Sequence, residues 1–228
     1  MGEMPMSDAS TMSMPWMPMP GQTWPGVAAS FLGMWVVMMV AMMLPSLLPM
    51  LWRYRQTVER TGEVRIGRLV TLVAGGYFFV WTVFGLAVFP LGVALTAVQM
   101  QYPVFARAVP VAVGVVILMA GALQLTTWKA RHLAFCSDAP GPGSSLPVGI
   151  RAAWIHGLQL GVHCSQCCVG LMAILLVIGV MDFRAMIVAA AAITIERLAP
   201  AGERVARATG VGVVGTGLFL IARATGLG

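Results

Sequence analysis

Between Leu69 and Val98 the chain runs for thirty residues without a charged side chain, and a second uncharged run covers Gly26–Leu51. A helix rises about 1.5 Å per residue, so about 20 apolar residues cross the hydrocarbon of a bilayer. Runs of this length restrict the fold more than any other feature. They show no two-residue alternation and are too long for barrel strands, which argues against a β-barrel. Four further apolar segments follow, at Ala108–Trp128, Ala152–Val180, Ala185–Leu198 and Val205–Ala222. The expected fold is all-α: a polytopic transmembrane bundle of about six helices, forming one domain over 26–228. Ala185–Leu198 is short, so it either borrows residues from Met181–Arg184 or inserts partially. Pro90 is expected to kink or end the second helix, and Pro45 and Pro49 to close the first.

Composition supports this reading. Charged residues make up 10% of the chain and mean hydropathy is +0.87, whereas soluble domains carry about 25% charged residues. A soluble enzyme, a disulfide-stapled secreted domain and a DNA-binding domain are excluded. The net charge of +6 belongs to loops on one side of a membrane rather than to a nucleic-acid surface. Arg53, Arg55, Arg60, Arg65 and Arg68 separate segments one and two; Lys129, Arg131 and Arg151 separate three and four; Arg197, Arg204 and Arg207 separate five and six. Arg107, Arg184 and Arg223 fall on the other side. The positive-inside rule then puts both termini outside the cytoplasm of a bacterial inner membrane, with the lipid bilayer as the first partner. Residues 1–25 are rich in Met, Pro and Ser and form a non-cytoplasmic tail. No basic residue precedes Arg53, so no n-region of a cleavable signal peptide is expected.

The densest chemistry is His163-Cys164-Ser165-Gln166-Cys167-Cys168, about halfway along the fourth segment. On a helix with His163 at zero, Cys167 falls at about 40°, Cys164 at about 100° and Cys168 at about 140°. Four soft or borderline donors on less than half a helix suit Cu(I), Zn(II) or an iron–sulfur cluster, with three able to reach one metal. The competing reading is tight helix packing, which Gly157 and Gly161 favour. His132 and Cys136 form an i, i+4 pair after the third segment. In a straight fourth helix the cluster lies about 18 Å below the boundary near that pair. Co-ligation therefore needs the Ala139–Pro147 loop to fold inward or the helices to shift in depth; otherwise there are two sites.

Methionine is the third signal. Thirteen of the 18 methionines lie in the first 50 positions. Met12, Met14, Met17 and Met19 flank Trp16 in a tail with no core to fill. Thioethers hold Cu(I) without deprotonation and reject hard ions. The spacing resembles the extracellular methionine motifs of copper importers and periplasmic copper chaperones. Met34, Met38 and Met42 form a stripe on the first helix, with Met39 and Met43 beside it; packing alone is the alternative there. Glu196 sits beside Arg197 and reads as an interfacial ion pair. His156, Gln124 and Gln159 are polar residues in apolar runs. The glycines of Gly210–Gly217 read as tight helix packing.

The stretches MWVVMMVAMMLPSLLPM (Met34–Met50), KARHLAFC (Lys129–Cys136), GLQLGVHCSQCCVGLM (Gly157–Met172), GVMDFRAM (Gly179–Met186) and ERLAP (Glu196–Pro200) together resemble a bacterial family of predicted metal-binding integral membrane proteins, over about Met34–Leu220. That family usually shows Lys-x-x-Cys-Leu-x-x-x-Cys; here Lys129 and Cys136 match and His132 replaces the first Cys. Its Cys-x-Gly-Cys-Cys-Trp motif is matched by Cys164, Cys167 and Cys168, with Gln166 and Val169 departing. The exchange of Cys for His keeps a nitrogen ligand and loses dithiol chemistry.

The expected function is Cu(I) binding for uptake, for delivery to a copper-receiving protein, or as a site in a complex with other membrane subunits. Zinc is the alternative metal, since a Cys₂His₂ zinc site is formally neutral. The competing functions are a membrane thiol–disulfide oxidoreductase using Cys164 and Cys167, and a structural or assembly subunit. The sequence shows no nucleotide, phosphate or hydrolase motif, and the chain is not expected to be an enzyme by itself.

Overall fold

The computed structural model describes residues 23–60, 65–137, 149–179, 182–199 and 201–226, with backbone alone at 103–107 and 134–137. Among these residues there are seven helices and no strand: α1 (Trp24–Glu59), α2 (Ile66–Gln101), α3 (Pro103–Gln124), α4 (Thr127–Ser137), α5 (Ile150–Ile178), α6 (Phe183–Leu198) and α7 (Gly202–Ala224). Four of them, α1, α2, α5 and α7, are long and apolar enough to cross a membrane. The pair Ala108–Gln124 and Thr127–Leu133, bent by 63°, makes a fifth if it forms one broken span, and none if it forms a re-entrant loop.

The prolines end neither of the first two helices: Pro45 and Pro49 do not close the first, against expectation, and Pro90 does not end the second. α1 continues through Pro45 and Pro49 to Glu59, and α2 continues through Pro90 to Gln101. Each proline removes one backbone donor, and the apolar sequence on both sides keeps the helix as the only way to satisfy the rest. The extension of α1 ends in a polar turn where Arg55 bonds Glu59 at 2.7 Å.

The third apolar segment is the larger correction. It is not one helix to Trp128 but breaks at Leu125–Thr126, and α4 sets off in a new direction. α6 has 16 residues, about 24 Å of helix, and does not meet the length for a span. It starts on Asp182, whose carboxylate accepts from the backbone N–H groups of Arg184 and Ala185 at 2.8 and 3.0 Å.

Small residues bring the helices close. α2 and α5 meet at Gly76 and Gly157: a Cβ on Gly76 would lie 2.8 Å from the Trp154 carbonyl oxygen, and one on Gly157 would collide with the carbonyl of Val73. The small-residue packing expected at Gly157 and Gly161 is therefore present. α3 and α7 pack the same way, with Gly121 against Val214 and Gly217 against the Leu118 backbone. The largest core joins α1, α2 and α5. It buries Trp35, Trp81, Tyr77, Met38, Met39, Met42, Met43 and all three cysteines of α5.

Candidate metal centre

Cys164, Cys167 and Cys168 are free thiols, each 1% exposed or less. They face the protein interior, as expected from their arc on α5. Their positions divide them between two surroundings. Cys164 and Cys168, on one side of the helix, place their Sγ atoms 3.9 Å apart. Cys164 Sγ also lies 2.9 Å from Tyr77 Oη on α2 and 3.2 Å from Arg197 Nη1 on α6. The same guanidinium donates to Ser46 Oγ at 3.1 Å and, through Nη2, to Met50 Sδ at 3.1 Å, both on α1. Side chains of α2, α5 and α6 thus meet at one thiol, and α1 joins them through Arg197.

Cys167, about 60° away, lies where α5 meets α4 and α6. Here Lys129 Nζ donates to the Cys167 carbonyl at 2.6 Å and pairs with Glu196 at 2.9 Å. Gln124 Nε2 donates to the other Glu196 oxygen at 3.0 Å. Both ions are almost fully enclosed, with side chains 4% and 1% exposed. Glu196 is therefore not interfacial, and its ion pair is with Lys129. A buried carboxylate is stable only with such compensation. The ends of four helices meet at this pair: Gln124 closes α3, Lys129 opens α4, Glu196 lies in the last turn of α6, and Gly202, whose Cβ would collide with the Glu196 carbonyl, opens α7.

The turn into α4 settles where the His132 region lies. Its ring sits 5.7 Å from that of His163 and packs edge-on to Trp128 at 4.6 Å. Both histidines are half-buried. The break between α3 and α4 brings the two rings together, which neither an inward loop nor a shift in depth describes. The backbone of Cys136 lies on α4, but its side chain is outside the described residues, as are Met12, Met14, Met17, Met19 and the Ala139–Pro147 loop. Met38 and Met42 are buried and Met34 is half-buried against the same core. Met39 and Met43 face inward too. Among the described residues, no group of three or more His, Cys, Asp or Glu side chains is arranged to hold one metal ion. The side chains of Met38, Met39, Met42 and Met43 are buried in the same core as the three thiols.

Four contributors were not singled out from the sequence: Tyr77, Ser46, Met50 and Arg197 as a partner of Cys164. Tyr77 and Ser46 look like ordinary members of their helices. Arg197 carried a usable signal, a charge three residues before Pro200 at the end of an apolar segment, but its partner was misassigned.

Long apolar helices around a sealed thiol cluster define a class: helical proteins compatible with a multi-pass membrane location and with soft-metal chemistry. The comparison with protein families agrees. Residues 32–220 match the PpoB2 model, described as a copper chaperone, and the chain belongs to that family. No curated protein and no solved structure matches the chain. Its function is therefore copper-related.

Proposed function

We propose that this protein is an integral membrane Cu(I) carrier of the bacterial inner membrane, which takes up the ion outside the cytoplasm and passes it to a copper-receiving protein or membrane subunit. The observation that carries this reading is the Cys164–Cys168 pair. Its sulfurs are 3.9 Å apart in a core shared with the α1 methionines, and metal–sulfur bonds of about 2.3 Å bridge such a gap. Met12, Met14, Met17 and Met19 capture Cu(I), Met34, Met38 and Met42 accept it, and the cysteines hold it. His132 and His163 form a neighbouring donor pair on the α4 side, and Cys136 is the third ligand we assign to it from the sequence. Zinc is the weaker candidate, because the thioethers have no use in a zinc site.

Topology follows the same logic with one change. Lys129 and Arg197 are buried and drop out of the loop count. Arg53, Arg55, Arg60, Arg65 and Arg68 cluster where α1 ends and α2 begins, so the positive-inside rule puts that connection in the cytoplasm and the N-terminus outside it.

The test is metal analysis of detergent-purified protein with thiol counting on the same sample. Cu(I) at close to one equivalent, lost in the Cys164→Ser, Cys168→Ser double variant, is the expected result. Metal-free protein that takes up no added Cu(I) and holds a disulfide between α5 cysteines would point to the oxidoreductase instead.

A further inference from the structure

The guanidinium of Arg197 is in an unusual position for an arginine. It is 7% exposed and reaches the sulfurs of Cys164 and Met50 and the hydroxyl of Ser46 at 3.1–3.2 Å. Its two terminal nitrogens therefore face a thiol from α5 and a thioether from α1. These are the donor types that select Cu(I), and they come from two different helices. A guanidinium has donors and no acceptor, so it engages the sulfur lone pairs, the same orbitals that bind a soft metal. A Cu(I) ion about 2.3 Å from Cys164 Sγ and a nitrogen 3.2 Å from that sulfur compete for one direction of approach, and the two cations repel.

We propose that Arg197 is a tethered stand-in for the metal: it occupies the place of Cu(I) between Cys164 and Met50 in the empty protein, Met50 is a ligand of the loaded ion, and the guanidinium withdraws when the metal enters. This rests on the Cu(I)-carrier reading and adds to it a ligand and a competitor. It also gives the carrier a means of release. A tethered cation that refills the site reduces apparent affinity by the fraction of molecules in which the site is open. Binding is then tight enough to load and weak enough to unload, with the sulfur donors unchanged.

The proposal is tested by titrating reduced, detergent-purified protein with Cu(I) against a Cu(I)-specific chelator. Arg197→Gln removes the cation and binds Cu(I) about tenfold more tightly or better, whereas Arg197→Lys, which keeps a cation, stays within about threefold of wild type. Met50→Leu, close to isosteric, binds about tenfold more weakly with the same count of free thiols. X-ray absorption at the copper edge of selenomethionine-labelled protein shows a selenium neighbour that Met50→Leu removes. This readout does not depend on Arg197→Gln folding. If the wild type binds Cu(I) through Cys164 but Arg197→Gln binds no more tightly, or more weakly, Arg197 supports the metal instead of displacing it, and the stand-in role is overturned. Selenium absent from the copper shell overturns the role of Met50. Wild-type protein that takes up no Cu(I) overturns the carrier reading itself.

Discussion

Replacing Lys129 by methionine keeps an unbranched side chain, one atom shorter, and deletes its charge. Glu196 is then left 1% exposed with Gln124 as the one hydrogen-bond donor to its side chain among the described residues. Removing one partner of a buried pair costs about 3–5 kcal/mol, because the other charge stays behind uncompensated. The loss of the 2.6 Å bond to the Cys167 carbonyl acts in the same direction. For chains of this size about 1 kcal/mol moves Tm by roughly 2–4 °C, so a loss of about 4 kcal/mol lowers it by about 8–16 °C. Glu196→Leu alone strands the ammonium and is expected to cost a similar amount. The double variant, Lys129→Met with Glu196→Leu, replaces both ions by apolar groups and is expected to recover most of the loss, since buried pairs are often no better than apolar packing. Thermal unfolding in detergent, followed by tryptophan fluorescence, measures all three. Single-variant shifts below about 3 °C, or a double variant whose loss is the sum of the singles, would falsify the claim that this pair locks α4 onto α5 and α6.

Gly157→Ala places a methyl against the Val73 carbonyl and is expected to cost about 1–3 kcal/mol; Gly33→Ala, with open space around it, is expected to stabilise by up to about 1 kcal/mol, both read from unfolding in detergent. Protease added to intact spheroplasts should remove the N-terminal tail, and protection there with cleavage in inverted vesicles reverses the topology. Deleting residues 1–22 should reduce copper loading at low external copper and leave saturating stoichiometry unchanged; an equal loss at saturation would make the tail part of the holding site.

The helical class was legible because hydrophobic runs of this length have few ways to satisfy their backbone. The interior face of Cys164, Cys167 and Cys168 was legible too, since a helix wheel needs only residue spacing. What periodicity does not record is a break inside an apolar run. Leu125 and Thr126 carry no proline or glycine, yet the chain turns there, and that turn decides that His132 meets His163 and that Lys129 is buried. The same blindness placed Glu196 with its neighbour Arg197. Adjacent residues on a helix point about 100° apart, so the carboxylate turns to α4 while the guanidinium turns to α1 and Cys164. Prolines misled in the opposite sense: Pro45 and Pro49 sit within a helix that continues.

The charge of the site bears on which metal it takes. Lys129 and Glu196 neutralise each other, and the cation facing Cys164 is the guanidinium of Arg197. If Cu(I) replaces that guanidinium with Cys164 a thiolate in both states, one positive charge leaves the sulfur atoms as another arrives, and the buried charge beside Cys164 is unchanged. Zn(II) would bring two charges to the same place and find a thioether, a poor partner for it, where it needs a further thiolate or imidazole. Burying an extra uncompensated charge costs several kcal/mol, about two orders of magnitude or more in affinity. Purified protein offered Cu(I) with a tenfold excess of Zn(II) should therefore fill with copper, and metal analysis after desalting reads the ratio directly. Zinc uptake equal to copper uptake would show that the thiols of α5 bind without reference to Arg197 and Met50, and the charge-exchange argument would fail.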